Sequence, residues 1–280
     1  MAKKKQIILI VSIVSAILIA CCVIIPLAIN ARNNKIIESY TNQNLELYSK
    51  LNIISDCAVI NKKTHSLDGI KEAVRKGADT VTLDLCFKED GTPVITDDYT
   101  NISDETLKVK DVFALIIRDE YSEVKINFRL RQLITLSVLN DLISEYDVAK
   151  RVIISGIDSN RYSLISGTDT AAKVYFDFIP TDDTEDSVKK VTDLIAEYNL
   201  SGVIIDVNNA TKELVDSLSL KGISYIINNA DDEIDLYRIM SYGAYAIETD
   251  SPEVLLNAYN SWRDITLKRI DTSILDELNK

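Results

Sequence analysis

The sequence predicts a (β/α)8 TIM barrel carried behind an N-terminal transmembrane helix. Three observations predict it: a long uncharged run near the start, nine strand-like segments after it, and helix-like segments between nearly all of those strands. The chain has 280 residues, 46% hydrophobic and 26% charged, with only eight glycines and four prolines. That balance suits a domain with a real core and leaves little room for low-complexity loops. No short-period repeat suggests a solenoid.

The N-terminus comes first. After the basic tail MAKKKQ (1–6) runs IILIVSIVSAILIACCVIIPLAI, residues 7–29, without a charge. At about 1.5 Å per residue, such a run crosses a hydrocarbon core of roughly 30 Å. Lys3, Lys4 and Lys5 precede it, so the positive-inside bias predicts a single-pass protein with its N-terminus inside and its domain exported to the extracytoplasmic side. The run is longer than a signal-peptide core and lacks a small-x-small cleavage site. LIAC, ending at Cys21, offers the alternative of a lipidated anchor on that cysteine. Residues 30–52, with Ile36, Ile37, Tyr40, Leu45, Tyr48 and Leu51 at near-helical spacing, read as a juxtamembrane stalk. The barrel is expected over 53–262 and a C-terminal helical tail over 263–280.

Residues 1–37 hold five basic side chains and no acid, leaving 26 basic against 43 acidic side chains on the rest, a balance of −17. Such a field repels nucleic acid, so no nucleic-acid partner is expected. Cys57 and Cys86 sit in separate strand-like runs, and two lone cysteines form no disulfide framework.

The segments then alternate. NIISDCAVI (52–60) reads as a strand and SLDGIKEAVRKG (66–77) as a helix with Ser66 as N-cap and Gly77 as stop. TVTLDLCF (80–87) and VIT (94–96) are strands joined by the turn KEDGTP. Further strands are read over 122–130, 151–157, 173–179, 201–207, 223–229 and 244–249, with helical patterns over 137–150, 186–200, 211–222 and 232–243. Repeated strand–helix units imply right-handed crossovers and a parallel sheet. No GxGxxG follows the first strand, which argues against a dinucleotide fold. In a barrel, chemistry sits where strands end.

There the residues resemble a family. GADTVTLDLCFKEDGTPVITDDYT is similar to the glycerophosphodiester phosphodiesterase signature GAD-x-VELDV-x-x-TKDG-x-PVV-x-HD-x-T, and YIINNADDEIDLYRIMSYGAYAIETDSPEVL resembles the closing WTVND…L-x-x-GVDGIITD-x-P-x-x-L. INFRL stands in the place of NIEIK, and RVIISGID in that of VVISSF. The resemblance spans about residues 53–260. It implies a TIM barrel of the phospholipase-C-like phosphodiesterase type, and hydrolysis with two histidines as acid and base around a carboxylate-held Ca²⁺ or Mg²⁺.

Mapped onto this chain, the implied machinery is thinned out. The first histidine, which closes strand one, corresponds to Asn61, followed by Lys62 and Lys63. Metal-ligand glutamates correspond to Thr64, Thr82 and Asn127, the second histidine to Asp97, and the NIEIK lysine to Arg129, while Asp84 is kept. One carboxylate among neutral neighbours does not hold a hard cation tightly, so no cofactor is expected, Ca²⁺ or Mg²⁺ being the alternative if the protein is active. His65, the lone histidine, reads as a surface loop residue ahead of the first helix, the alternative being a displaced catalytic role. Asp97 and Asp98 read as turn formers, since neighbours on a strand point to opposite faces, the alternative being a replacement acid–base or metal pair with Asp84. Lys62, Lys63 and Arg129 are candidate phosphate ligands, and Tyr225, in the place of a tryptophan, is a candidate pocket wall, the alternative being a core position. Elsewhere no metal-type Cys/His spacing and no GxSxG elbow occurs. The expected function is a membrane-held pseudoenzyme that binds a phosphate-containing small molecule or polymer, or a protein partner. The alternative is an active phosphoric diester hydrolase with a rearranged site.

Overall fold

A computed structural model describes residues 51–56, 65–132, 136–158, 161, 170–244 and 246–278. The run 7–29, most of the stalk and residues 57–64 lie outside the described residues. Among those described, no helix is long and apolar enough to cross a membrane. The chain groups into two units, residues 42–260 and residues 1–41 with 261–280.

The larger unit is a barrel. Its strands are β1 (Asn52–Ser55), β2 (Thr80–Phe87), β4 (Lys125–Leu130), β5 (Val152–Ile157), β6 (Lys173–Asp177), β7 (Gly202–Asp206), β8 (Ser224–Asn228) and β9 (Ala246–Thr249). All neighbours in this ring pair in parallel, and β1 pairs with both β2 and β9, so the sheet closes on itself. A ninth strand, β3 (Pro93–Ile95), pairs antiparallel on the far side of β2. It arrives through a hairpin in which Lys88 N donates to Thr92 O and Gly91 N to Lys88 O, both 2.9 Å. A short turn permits only this antiparallel return, whereas the parallel neighbours need helical crossovers.

The helices are α1 (Leu67–Arg75), α2 (Val109–Ile116), α3 (Ser137–Glu145), α4 (Thr184–Tyr198), α5 (Lys212–Leu220), α6 (Glu233–Ser241) and α7 (Pro252–Leu278). Their starts follow local chemistry. Ser66 Oγ, Asp183, Thr211 and Asp232 side chains each accept from a first-turn amide of α1, α4, α5 and α6, satisfying donors the helix itself cannot. All nine strands were legible as segments, while α2, the eight-residue VKDVFALI, was not read as a helix.

Side chains alternate across each stave, one set inward and one toward the helices. Ile54, Ile153, Tyr175, Ile204, Ile226 and Ala246 form a buried apolar cluster that plugs the barrel. Gly202 makes space in it: a Cβ there would lie 2.2 Å from Ser224 O and 2.7 Å from the Tyr175 ring. The Tyr175 hydroxyl passes that gap to meet Ser224 Oγ at 2.9 Å. Two residues further along each strand the interior turns polar. Thr82, Asp84, Asn127, Ser155 and Glu248 are buried there, at the C-terminal half of the staves.

Of the strand read over 52–60, the described part is Asn52–Ser55, after which Asp56 N still donates to Thr249 O at 2.9 Å; residues 57–60 lie outside the described residues.

Candidate functional site

The mouth is built around Asp84, two residues above Thr82 on the inward face of β2. Asp84 is 2% exposed, and its Oδ1 accepts from Arg129 Nε (2.9 Å) and Arg131 Nε (2.7 Å). Arg129 and Arg131 are two apart along β4 and its extension, so both reach the same side. His65 Nε2 lies 3.3 Å from Asp84 Oδ2. The far end of Arg129 grips Asp56, with Nη2 donating to Oδ1 at 2.6 Å and Nη1 to Oδ2 at 3.3 Å. One guanidinium thus joins the ends of β1 and β2 from β4. Burial alone would raise the Asp84 carboxyl, yet the His65, Arg131 and Arg129 contacts overcome it and hold it well below the usual carboxylate range.

Beneath lies a second polar tier. The Thr82 hydroxyl donates to Glu248 Oε1 and accepts from Asn127 Nδ2 at 3.0 Å. Glu248 is buried, and that burial, with the Asp56 charge nearby, pushes its carboxyl up to about 7 against the pull of Arg129 and Thr82. Burial likewise pushes Asp177 up to about 6, against the Gly156 amide and the Arg129 charge. Buried Ser55 Oγ, Asn127 Oδ1 and Ser155 Oγ have no hydrogen-bond partner among the described residues.

A pH dependence follows from the raised pair. Glu248 binds its proton more tightly folded than unfolded, so stability falls as pH rises from about 4.5 through about 7. Asp177, raised in the same way, gives a loss of the same sign at lower pH. Glu248→Gln is expected to flatten that decline. Urea midpoints of both proteins across neutral pH check it; parallel declines would assign the slope elsewhere.

No family sequence model matches the chain, and no curated protein matches it. Solved structures do. A chain from Galdieria sulphuraria assigned as a glycerophosphodiester phosphodiesterase superposes with a TM-score of 0.63 at 17% identity, covering 75% of this chain and 98% of that one. A glycerophosphodiester phosphodiesterase from Parabacteroides distasonis gives 0.61 at 14%, covering 76% and 98%. A phosphodiesterase from Oleispira antarctica, solved with its product sn-glycerol-3-phosphate, gives 0.58 at 15%, covering 76% and 99%. The chain has the fold of the glycerophosphodiester phosphodiesterases.

Within that phosphodiesterase fold, some of the expected site residues meet and others do not. Asp84 and Arg129 come together, and in the tier beneath Thr82 links Asn127 to Glu248. Asn61, Lys62, Lys63 and Thr64 lie outside the described residues. β1 is described over Asn52–Ser55, and Asp56, the residue after it, enters the mouth. Asp97 is exposed, lining a cavity of about 650 Å³ with His65, Thr96, Asp104 and Lys108. Asp98 accepts from Thr100 N (2.9 Å) and Oγ1 (2.6 Å), the turn its sequence suggested.

Two placements are corrections. Tyr225 does not line the mouth: it is one residue from the interior Ile226, so it faces the helices. There it is 1% exposed, its hydroxyl near Ser219 Oγ of α5 (3.1 Å) and donating to Gly243 O (3.3 Å). His65 is not a surface loop residue. Its side chain is 7% exposed, because a left-handed turn at φ 57°, one residue before the Ser66 cap, folds it back onto Asp84. A non-glycine residue held there carries local strain, and such strain gathers at functional positions.

Asp56, Arg131, Asp177 and Glu248 are participants that the sequence reading missed. Glu248 stands where the closing pattern quoted above has isoleucine, and it reaches Thr82, where the opening pattern has glutamate. The carboxylate missing from β2 is thus supplied from β9. Its alternation with Ala246 on the inward face was the available signal.

The donor set does not fit the divalent ion of the phosphodiesterase fold. Ca²⁺ and Mg²⁺ need several oxygens free to converge. Asp84 Oδ1 is instead shared by two guanidinium groups, Asp56 is engaged bidentately by Arg129, and Thr82 and Asn127 are neutral. Among the described residues no group of three or more His, Cys, Asp or Glu is placed to hold a metal ion.

Proposed function

We propose that this chain is a phosphodiesterase-fold domain, held on the outer side of a membrane by residues 7–29, that binds a ligand or partner without hydrolysing it. The observation that carries the reading is Arg129, which bridges Asp84 and Asp56 and fills the centre where metal-assisted hydrolysis would need an exchangeable cation. The reading requires no cofactor. A phosphate-bearing ligand, of glycerol-phosphate type, would be recognised by guanidinium and ammonium groups at the mouth. Arg131, its side chain 40% exposed on Asp84, is the outward member of that set, and Lys62, Lys63 and Arg129 complete the candidates.

The test is an activity screen of the purified full chain over glycerophosphodiesters and bis-p-nitrophenyl phosphate, with Ca²⁺ and Mg²⁺ added in turn. Turnover at the buffer level is expected; metal-dependent turnover well above it would overturn the reading.

A second reading rests on His65. Its Nε2 faces the buried Asp84 carboxylate, which would orient the ring and leave Nδ1, buried without a hydrogen-bond partner among the described residues, as the nitrogen to exchange a proton in a phosphoric diester hydrolase with a rearranged site. It expects measurable turnover that Asp84→Asn abolishes. An unchanged rate in that variant would sink it.

A further inference from the structure

We infer that the cavity between the β2–β3 hairpin and the loop over residues 99–104 binds a sugar ring, with Tyr99 as its stacking platform. The inference goes beyond the reading above and does not depend on whether the mouth hydrolyses anything.

The cavity has a volume of about 820 Å³ and is separate from the mouth, since none of Asp56, Asp84, Arg129 and Glu248 lines it. One wall carries Tyr99, which is 58% exposed and is the only exposed aromatic among the described residues. Ile102 lies on the same wall. The loop that bears them is held at several points. Asp98 Oδ1 accepts from Thr100 N and Oγ1, and Ser103 N donates to Thr106 Oγ1 at 2.9 Å. From the hairpin, Lys88 Nζ reaches Asp104 Oδ1 at 2.8 Å and ties the two walls together. A backbone set in this way has little order left to lose when a ligand arrives.

The remaining groups are polar and of both kinds. Gln132 Oε1 accepts from Phe87 N at 2.7 Å, which fixes the amide and leaves its NH₂ end to donate in the cavity that it lines. Glu89 and Asp90 at the hairpin tip and Asp104 on the loop supply acceptors. These three carboxylates outnumber Lys88, the ammonium already paired to Asp104, so a phosphate or carboxylate ligand is repelled. A wholly apolar ligand would strip water from the carboxylates and return no hydrogen bond. A quaternary ammonium would leave the Gln132 donor unmatched, and a single ring makes no aromatic cage. A pyranose answers every group. Its C–H face lies on the tyrosine ring, and its hydroxyls donate to the carboxylates and accept from the amide.

The test is saturation-transfer NMR on the full chain, purified in a detergent without a sugar head group. The probes are methyl glucoside, methyl galactoside and methyl N-acetylglucosaminide, with tetramethylammonium as the cationic control. At least one glycoside is expected to bind saturably, its ring protons receiving the magnetisation. Tyr99→Phe is expected to keep that binding, and Tyr99→Ala to weaken it about tenfold or more. Gln132→Glu retains an acceptor for Phe87 N but loses the donor, and is expected to weaken binding by about the same factor. Both positions lie at the surface of the cavity, so each variant is expected to melt within about a degree or two of wild type, separating lost binding from lost folding. Silence from all three glycosides would overturn the inference. So would binding that either Tyr99→Ala or Gln132→Glu leaves unchanged, or binding of tetramethylammonium alone.

Discussion

Asp84→Ala is expected to cost about 3 kcal/mol or more of folding stability, as breaking a buried ion pair generally does. The variant takes Asp84 from Arg129 and releases Arg131 and His65 from the carboxylate that engages all three. The partial exposure of Arg131, at 40%, keeps the figure at the lower end of the usual range, since water takes over part of its solvation. Asp84→Asn separates charge from shape, because the amide oxygen still accepts while the net charge is gone. The pH dependence gives a second signature. Asp84 is held well below the usual carboxylate range in the fold, so its contribution is fully present above the unfolded value near pH 4 and fades as pH falls toward the depressed folded value. Chemical denaturation in mild acid and at neutral pH, on wild type and both variants, measures this. A loss below about 1 kcal/mol for Asp84→Ala would mean that the mouth is held together elsewhere.

Gly202→Ala should produce a loss of similar size by a different cause. The added carbon would sit 2.2 Å from the Ser224 carbonyl oxygen and 2.7 Å from the Tyr175 ring. A side-chain end can yield, but the carbonyl belongs to β8, which pairs with β7 at Gly202↔Ser224. Relief therefore needs two staves to part or Tyr175 to give up its contact with Ser224 Oγ. Overpacking of a close-packed core costs about 1–3 kcal/mol, occasionally more, and a clash with backbone belongs at the upper end. Urea unfolding of the variant reads it directly. A midpoint close to wild type would show that the lower barrel is looser than its geometry states.

The fold was far more legible than the site, and the reason is periodicity. TVTLDLCF was read with the bounds β2 takes, and Ser66, Asp183, Thr211 and Asp232 sit at helix starts because capping is local chemistry written in a few adjacent residues. The mouth, by contrast, is assembled from strands far apart in the chain. Thr82 and Glu248 are 166 residues apart, and nothing within either local stretch announces the other. Asp56 was missed because the arginine that grips it lies 73 residues away on β4. Tyr225 was misplaced because facing on a strand changes with every residue, and a single step separates the barrel interior from the helix layer. His65 was misjudged because a left-handed backbone at a histidine reverses where a loop points.

The staves are not equally joined around the ring. β1 has four residues and meets β2 through only two pairs, Ile54↔Thr80 and Ser55↔Val81, whereas β2 and β4 share six. The Asp79 side chain, 3.1 Å from the Ile53 amide, adds one stitch at that seam. Asp56 hangs just beyond it, and the arginine that grips Asp56 is rooted in β4, on the other side of β2. The salt bridge therefore acts as a clasp across a thinly paired joint of the cylinder. A ligand that drew Arg129 away from Asp56 would loosen the hoop at the same moment as it filled the mouth.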